Sequence, residues 1–108
     1  MTASLVGTIG ASATAAVNTA VTPSWGTNEN RVTGNLLVCW VAGNGAATLP
    51  ATPSGWTVAV QKAGTSTSVT IFYKVAAGSD AAPSITAAAS VIWFAQLAEF
   101  TGLASSPL

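Results

Sequence analysis

The amino-acid sequence predicts an all-β fold, an antiparallel β-sandwich of the jelly-roll or Ig-like type with six to seven strands or more. Apolar segments rich in β-branched and aromatic residues recur at spacings of roughly 8 to 15 residues, which is typical of a sandwich. Turn-forming Gly, Pro and Asn lie between these segments, and no segment carries an apolar stripe at helical spacing. The chain of 108 residues is long enough to bury a core. We therefore expect one domain over residues 1–108, either complete or the N-terminal part of a longer sandwich.

The strongest strand signal is the apolar run at residues 34–43, which begins with Gly-Asn and is followed by Asn-Gly. Both alternate sets of side chains in this run are apolar, so the strand is expected at the centre of a sheet with cover on both faces. We expect one set to fill the domain core and the other to lie under a loop or another chain, as an assembly face. The expected core set is Leu36, Val38 and Trp40. The expected assembly set is Leu37, Cys39 and Val41.

Two strands are predicted before this run. Residues 4–10 form a short strand, and residues 13–21 form an edge-like strand that Pro23 ends. The alanine content of the second segment would also suit a helix, but recurrent β-branched residues and the missing 3.6-residue period favour a strand. A polar loop over residues 24–33 then carries Trp25.

Four more strands are predicted after the central run. The connecting loop at residues 44–55 is longer than most connections, which suggests an exposed and functional loop. The predicted strands cover residues 56–61, 69–75, 84–88 and 90–100. The last segment is long enough for three helical turns, but its β-branched and aromatic start favours a strand.

Charge is scarce, because three basic and three acidic residues make up only 6% of the chain, against roughly 25% in ordinary soluble domains. A cytosolic monomer normally carries more charge for solubility, so we expect a surface partly covered by other subunits. The alternative is a secreted or viral domain that is simply weakly charged. Three scattered cations do not match the several phosphate contacts of nucleic-acid binding, so no nucleic-acid partner is expected.

The N-terminus lacks the cationic segment and apolar core of a signal peptide. No apolar stretch of the sequence approaches the roughly 20 residues that span a bilayer. We therefore expect synthesis in the cytoplasm, retention there or in a particle assembled there, and no membrane partner.

The sequence predicts no enzyme and no cofactor. It contains no His, the usual base for Ser and Cys nucleophiles. Its three acids, Glu29, Asp80 and Glu99, fall in different predicted elements, and their spacing does not predict a catalytic pair. The single Cys39 is expected to be a small buried apolar side chain, and no metal site is expected.

Trp25 and Trp56 are the candidate residues for an interaction with glycans. Exposed aromatic rings stack on sugar faces, and these two lie in a polar loop and at the end of a Pro-containing loop. The competing interpretation is that the rings fill the core and close the ends of the sandwich.

Four short motifs follow one another along the chain. They are GNLLV at residues 34–38, PSGWT at 53–57, YKVA at 73–76 and EFTG at 99–102. In order and spacing they resemble a family of β-sandwich domains from bacteriophage virion proteins and bacterial surface proteins, whose pattern is GDLL, PxGW, YYKVA and YSG. The resemblance covers residues 13–108. Asn35 stands where the family commonly has Asp, and Phe72 and Phe100 stand where it commonly has Tyr.

This resemblance implies a structural or adhesive role and supplies no catalytic residue. We accordingly expect a structural subunit of a bacteriophage virion, a capsid decoration or tail-associated protein made in the host cytoplasm. Its expected partners are copies of itself and other virion proteins on a symmetric lattice. The alternative is a carbohydrate-binding or adhesion module of a phage tail or bacterial surface protein, which would use Trp25 and the loop at residues 44–55.

Overall fold

The computed structural model describes residues 2–15, 20–44, 49–86 and 93–102. Within these ranges the protein is all-β, with six strands and no helix, and hence no helix that could cross a membrane. The strands are β1 (Ser4–Leu5), β2 (Ala13–Ala15), β3 (Leu36–Gly43), β4 (Thr57–Ala63), β5 (Ser68–Val75) and β6 (Trp93–Thr101).

The six strands form one antiparallel sheet. Five lie side by side in the order β1-β6-β3-β5-β4, and β2 pairs with β6 as well. β1 pairs with one end of β6 and β2 with the other. β3 pairs with both β5 and β6 along its full length, which confirms the prediction that the apolar run forms a central strand.

The remaining strand predictions are confirmed in part. β4 and β5 cover most of the segments predicted to form strands, and β6 begins at Trp93 and ends at Thr101. The strand predicted at residues 84–88 is reduced, in the described part, to one bridge between Ile85 and Val21. Parts of the predicted strands at residues 16–19, 87–88 and 90–92 lie outside the described residues, as does part of the predicted loop, at residues 45–48.

The first predicted strand is shorter than expected because Gly7 interrupts it. Gly7 has a φ of 63°, a left-handed conformation that glycine adopts without the steric penalty of a side chain. Its backbone also lies against the carbonyl of Thr27, where a Cβ atom would clash. The chain still follows β6 after the turn, since the Gly10 N–H donates to the Leu97 carbonyl at 2.9 Å.

One face of the sheet, which we call the core face, carries the hydrophobic core. Leu37, Cys39 and Val41 of β3 share this face with Phe72 of β5 and Leu97 of β6. All five are at most 1% exposed. Irregular segments at residues 20–35 and 76–86 cover them, and the bridge between Val21 and Ile85 joins the two segments. The second layer in the described residues is therefore irregular backbone rather than a second sheet.

The opposite face, which we call the outer face, is also apolar but only partly covered. Leu36, Val38 and Trp40 of β3 are half-buried there, and Val69 and Phe94 on the neighbouring strands are 45% and 39% exposed. Paired residues of an antiparallel sheet share a face, so these side chains form one continuous surface.

The burial of β3 corrects the expected division of its side chains. The set expected in the core, Leu36, Val38 and Trp40, lies on the outer face. The set expected under a loop or another chain, Leu37, Cys39 and Val41, does lie under loop segments, but there it forms the core rather than an assembly face. Both sets are apolar, so their composition does not distinguish them. The distinction comes from segments distant in sequence that fold over one face only.

Two adjacent leucines test this arrangement. Leu37→Ala should lower the free energy of unfolding by about 2–5 kcal/mol, because it leaves a cavity in the core. Leu36→Ala should lower it by less than about half as much in dilute solution, because that side chain is already partly in water. Urea unfolding followed by tryptophan fluorescence measures both, and equal losses would contradict the assignment of the two faces.

Candidate functional site

The loop that precedes β3 is attached to the end of β6 by a buried carboxylate. Glu99 lies on the core face and is fully buried. Its Oε2 accepts a hydrogen bond from the Arg31 N–H at 2.9 Å, and its Oε1 accepts from the Val32 N–H at 2.8 Å. Arg31 has a φ of 52°, and successive N–H groups beside a left-handed residue form a concavity that binds an anion. The Glu99 carboxylate occupies that concavity.

A second carboxylate, Glu29, belongs to the loop and accepts hydrogen bonds from backbone N–H groups of both the loop and β6. Its Oε1 accepts from the backbone N–H of Glu99 at 2.9 Å, and its Oε2 accepts from the Gly26 N–H at 2.6 Å. Arg31 Nη1 donates to the Glu29 carbonyl oxygen at 2.7 Å. Glu29 and Glu99, which we call the carboxylate pair, thus each bind the backbone of the segment that carries the other.

The electrostatic environment of Glu29 differs from that of an exposed acid. Glu29 is only 2% exposed, and this burial raises the pKa of its carboxyl above the usual value, with the nearby Glu99 carboxylate adding to the rise. Hydrogen bonds from Gly26 and Glu99, and the charge of Arg31, act in the other direction without reversing it. Each carboxylate oxygen already accepts an N–H hydrogen bond, so the pair is arranged to hold the loop rather than to exchange protons with a substrate.

Nothing in the spacing of the acids along the sequence predicts this pairing, although one signal is visible afterwards. Glu99 interrupts an otherwise apolar strand, and a buried carboxylate requires hydrogen-bond partners. Asn35 supplies one of them, since its Nδ2 donates to Glu99 Oε1 at 2.8 Å. An Asp at this position would instead place a third carboxylate beside the pair.

Trp25 packs beside the carboxylate pair. It is half-buried against the core, and the Arg31 guanidinium carbon lies 5.4 Å from the centre of its ring, within the range of a cation–π contact. Its indole Nε1 is buried with no hydrogen-bond partner among the described residues. With one ring face covered by Arg31, this geometry favours a packing role over a flat platform for sugars.

Trp56 lies in the core at 7% exposure. It follows a tight turn in which the Trp56 N–H donates to the Pro53 carbonyl at 3.1 Å. Gly55 has a φ of 83° at the third position of that turn, where a type II turn requires a positive φ. The PSGW motif therefore makes a turn that directs the indole inward, which also favours the core-filling interpretation. The structure does not bring Trp25 and Trp56 together as one exposed surface.

A groove of about 460 Å³ lies beside Trp56, a volume within the range of small-ligand sites. Its walls come from residues 51–54 and 81–84, with Lys74 and Thr86. Several of these residues carry hydroxyl groups, and Lys74 contributes the cation. The groove thus combines hydroxyl groups with one tryptophan side chain and one lysine.

The cation of this groove is already paired. Lys74 Nζ lies 2.7 Å from Asp80 Oδ1, and Asp80 Oδ2 accepts from the N–H groups of Ala77 and Gly78 at 2.8 and 3.1 Å. Burial alone would raise the pKa of Asp80, but Lys74 and the two N–H groups outweigh it and lower the pKa below the usual value. This ion pair fixes the turn that directly precedes the groove wall at residues 81–84.

Cys39 lies on the core face at the centre of β3. It is buried with a free thiol, as predicted from its place in the apolar run, and burial raises the pKa of that thiol to about 12. The described residues contain no group of three or more His, Cys, Asp or Glu side chains that could hold a metal ion.

No protein-family model matches this chain, and no curated protein or solved structure matches it either.

The pH dependence of stability tests the environment of Glu29. Because its pKa is raised in the folded protein, its contribution to stability is present below the usual pKa and is lost as the pH rises through the raised value. The non-titrating variant Glu29→Gln does not lose it. The free energy of unfolding of the natural protein should therefore fall relative to that of E29Q as the pH rises above the usual value of 4.5, as measured by urea unfolding.

Asp80→Asn is the control for this measurement. The pKa of Asp80 is lowered in the folded protein, so the natural protein should gain stability relative to D80N as the pH rises toward the usual value of 3.8. Parallel curves for the natural protein and E29Q would show that Glu29 is not held at a raised pKa.

Proposed function

We propose that this protein is a non-enzymatic structural subunit of a bacteriophage virion, a capsid decoration or tail-associated protein that packs on a symmetric lattice. The observation that carries the proposal is the outer face of the sheet. An antiparallel sheet with one face in water normally alternates apolar and polar residues along each strand. β3 does not alternate in this way, and its outer side chains Leu36, Val38 and Trp40 are only half-buried. Such a face is suited to contact another protein.

The distribution of charge supports the same proposal. Of the six charged residues, the carboxylate pair is buried and Lys74 is paired with Asp80. Only Arg31 and Lys62 are left, and Arg31 covers Trp25. A surface with so few ions gains affinity from buried apolar area and strand-edge contacts rather than from ion pairs.

The resemblance of the four motifs to domains of phage virion proteins and bacterial surface proteins agrees with this role. It also supports a finer description of the fold. We propose that the sheet is one half of a β-sandwich of six or more strands, in which the outer face packs on a second sheet.

Particles of the phage that encodes this chain provide the test. We expect the chain to co-sediment with intact particles at a fixed ratio to a major virion protein, as measured by quantitative mass spectrometry. Electron micrographs of particles assembled without the chain should lack a regular feature of the capsid or the tail. Particles that contain none of the chain and look the same with or without its gene would contradict the proposal.

A second candidate function is glycan binding by an adhesion module, which the groove beside Trp56 favours. Its hydroxyl groups and its volume of about 460 Å³ suit a sugar unit better than an ionic ligand, because the cation among its lining residues is already paired with Asp80.

Filling the groove tests this second candidate. Ala81 is exposed and lines the groove, so Ala81→Trp should block a sugar without disturbing the core. We expect binding on a glycan array to fall at least about tenfold, which corresponds to about 1.4 kcal/mol. Ser66→Trp, at an exposed position in the turn between β4 and β5, is the matched control and should bind normally. Absence of any glycan signal for the natural protein would eliminate this candidate.

A further inference from the structure

We infer that the outer face of the sheet binds the same face of a second copy of this chain, so that two copies form a two-fold symmetric β-sandwich. This inference rests on the proposed structural function and names the first partner of the subunit in its assembly. Three properties of the outer face support it, namely its composition, its area, and the arrangement of large and small side chains on it.

The composition of the outer face follows from the pairing register of β6, β3 and β5. Twelve side chains from these strands share the face, and none is charged. They are Phe94, Gln96, Ala98 and Phe100 on β6, Leu36, Val38, Trp40 and Ala42 on β3, and Val69, Ile71, Tyr73 and Val75 on β5. Gln96 is already engaged, because its Nε2 donates to the Gly10 carbonyl at 2.8 Å. The face therefore offers almost only apolar surface.

β4 extends the outer face to the edge of the sheet. Val60 pairs with Ile71 and adds a side chain that is 53% exposed. Lys62 pairs with Val69 and stands at the corner of the face. Lys62 is the charged side chain that these four strands contribute to the outer face. It lies at the margin of the face and remains in water when the centre of the face is covered.

The size of the outer face is sufficient for a specific contact. Strands of eight residues are about 27 Å long, and four strands spaced about 4.8 Å apart are about 19 Å wide. The footprint is therefore about 500 Å² per copy and about 1,000 Å² for two, which is the lower limit expected for a specific interface.

The arrangement of large and small side chains on the outer face favours a second copy of the same chain as the binding partner. Ala42 lies beside Trp40 on the same side of β3 and is only half-buried, so the large ring stands next to a shallow position. In a two-fold arrangement whose axis crosses the strands between Trp40 and Ala42, the ring of each copy enters the shallow position of the other. An uncharged face also meets its own copy without like-charge repulsion, and two sheets pack face to face about 10 Å apart.

Opposite charges at one position test the two-fold arrangement. Val69 pairs with Ala42 and therefore lies near the proposed axis, so two copies of Val69→Glu, or two of Val69→Lys, would place like charges close together. Sedimentation velocity should show a dimer for the natural protein and an increase of at least about 100-fold in the dissociation constant for each variant. An equimolar mixture of V69E and V69K should recover the dimer, because unlike charges then meet across the axis. Ser66→Glu, outside the face, should leave the dimer unchanged.

A charge at position 69 is compatible with the folded monomer, because Val69 is 45% exposed. Circular dichroism confirms that each variant is folded. A natural protein that stays monomeric at about 100 μM, far above the dissociation constant of a specific dimer, overturns the inference. So does a dimer that neither variant weakens.

Failure of the inference and failure of the proposed function give different results. A monomer that still co-sediments with virions overturns the self-pairing while the structural function stands, and loss of virion binding in V69E then identifies another virion protein as the occupant. A dimer that is absent from virions supports the self-pairing and removes the structural function.

Discussion

The covered side of this sheet depends on hydrogen bonds that two carboxylates make to backbone N–H groups. Glu99 is fixed in the ladder of β6, so the position of its carboxylate is determined by the sheet. The backbone N–H groups of Arg31 and Val32 in the loop donate to this carboxylate. The Glu29 carboxylate in turn accepts a hydrogen bond from the backbone N–H of Glu99 in β6. Because both acids are buried, removing either one would leave its N–H donors without a partner away from water. The irregular layer over the core is thus held by polar contacts at its rim as well as by apolar packing.

The apolar side chains on the outer side of the central strand impose a second constraint on the fold. β3 is apolar in both directions, and the described part of the chain fully covers only the side that carries Leu37, Cys39 and Val41. Stable domains bury their apolar surfaces against another layer, which is the reason for the proposal that a second sheet covers the outer face. The proposed association also agrees with the low charge of the chain, because a surface that is covered by another subunit needs few ions for solubility.

The sequence was sufficient to predict the all-β class, the central position of β3 and the positions of β4, β5 and most of β6, because each of these has a local pattern of apolar residues and turn residues. It was not sufficient to assign the faces of β3. Leu36 and Leu37 are chemically identical, and which one is buried depends on Val21 and Ile85, which pair only in three dimensions. The carboxylate pair was missed for the same reason, since Glu29 and Glu99 are 70 positions apart. The burial of Trp56 agrees with the core-filling interpretation, and its inward direction depends on the turn at Gly55.

The buried thiol of Cys39 reports how often the irregular layer over the core separates from the sheet. The thiol lies beneath the irregular layer at the middle of the central strand, and burial keeps it protonated at neutral pH. A thiol reagent attacks only the ionised and accessible form, so alkylation must wait for a fluctuation that separates the layer from the sheet. The rate of labelling therefore measures how often the centre of the sheet becomes exposed, with no engineered probe. In an assembled particle the same rate would show whether packing on the outer face slows motion on the opposite side of the strand.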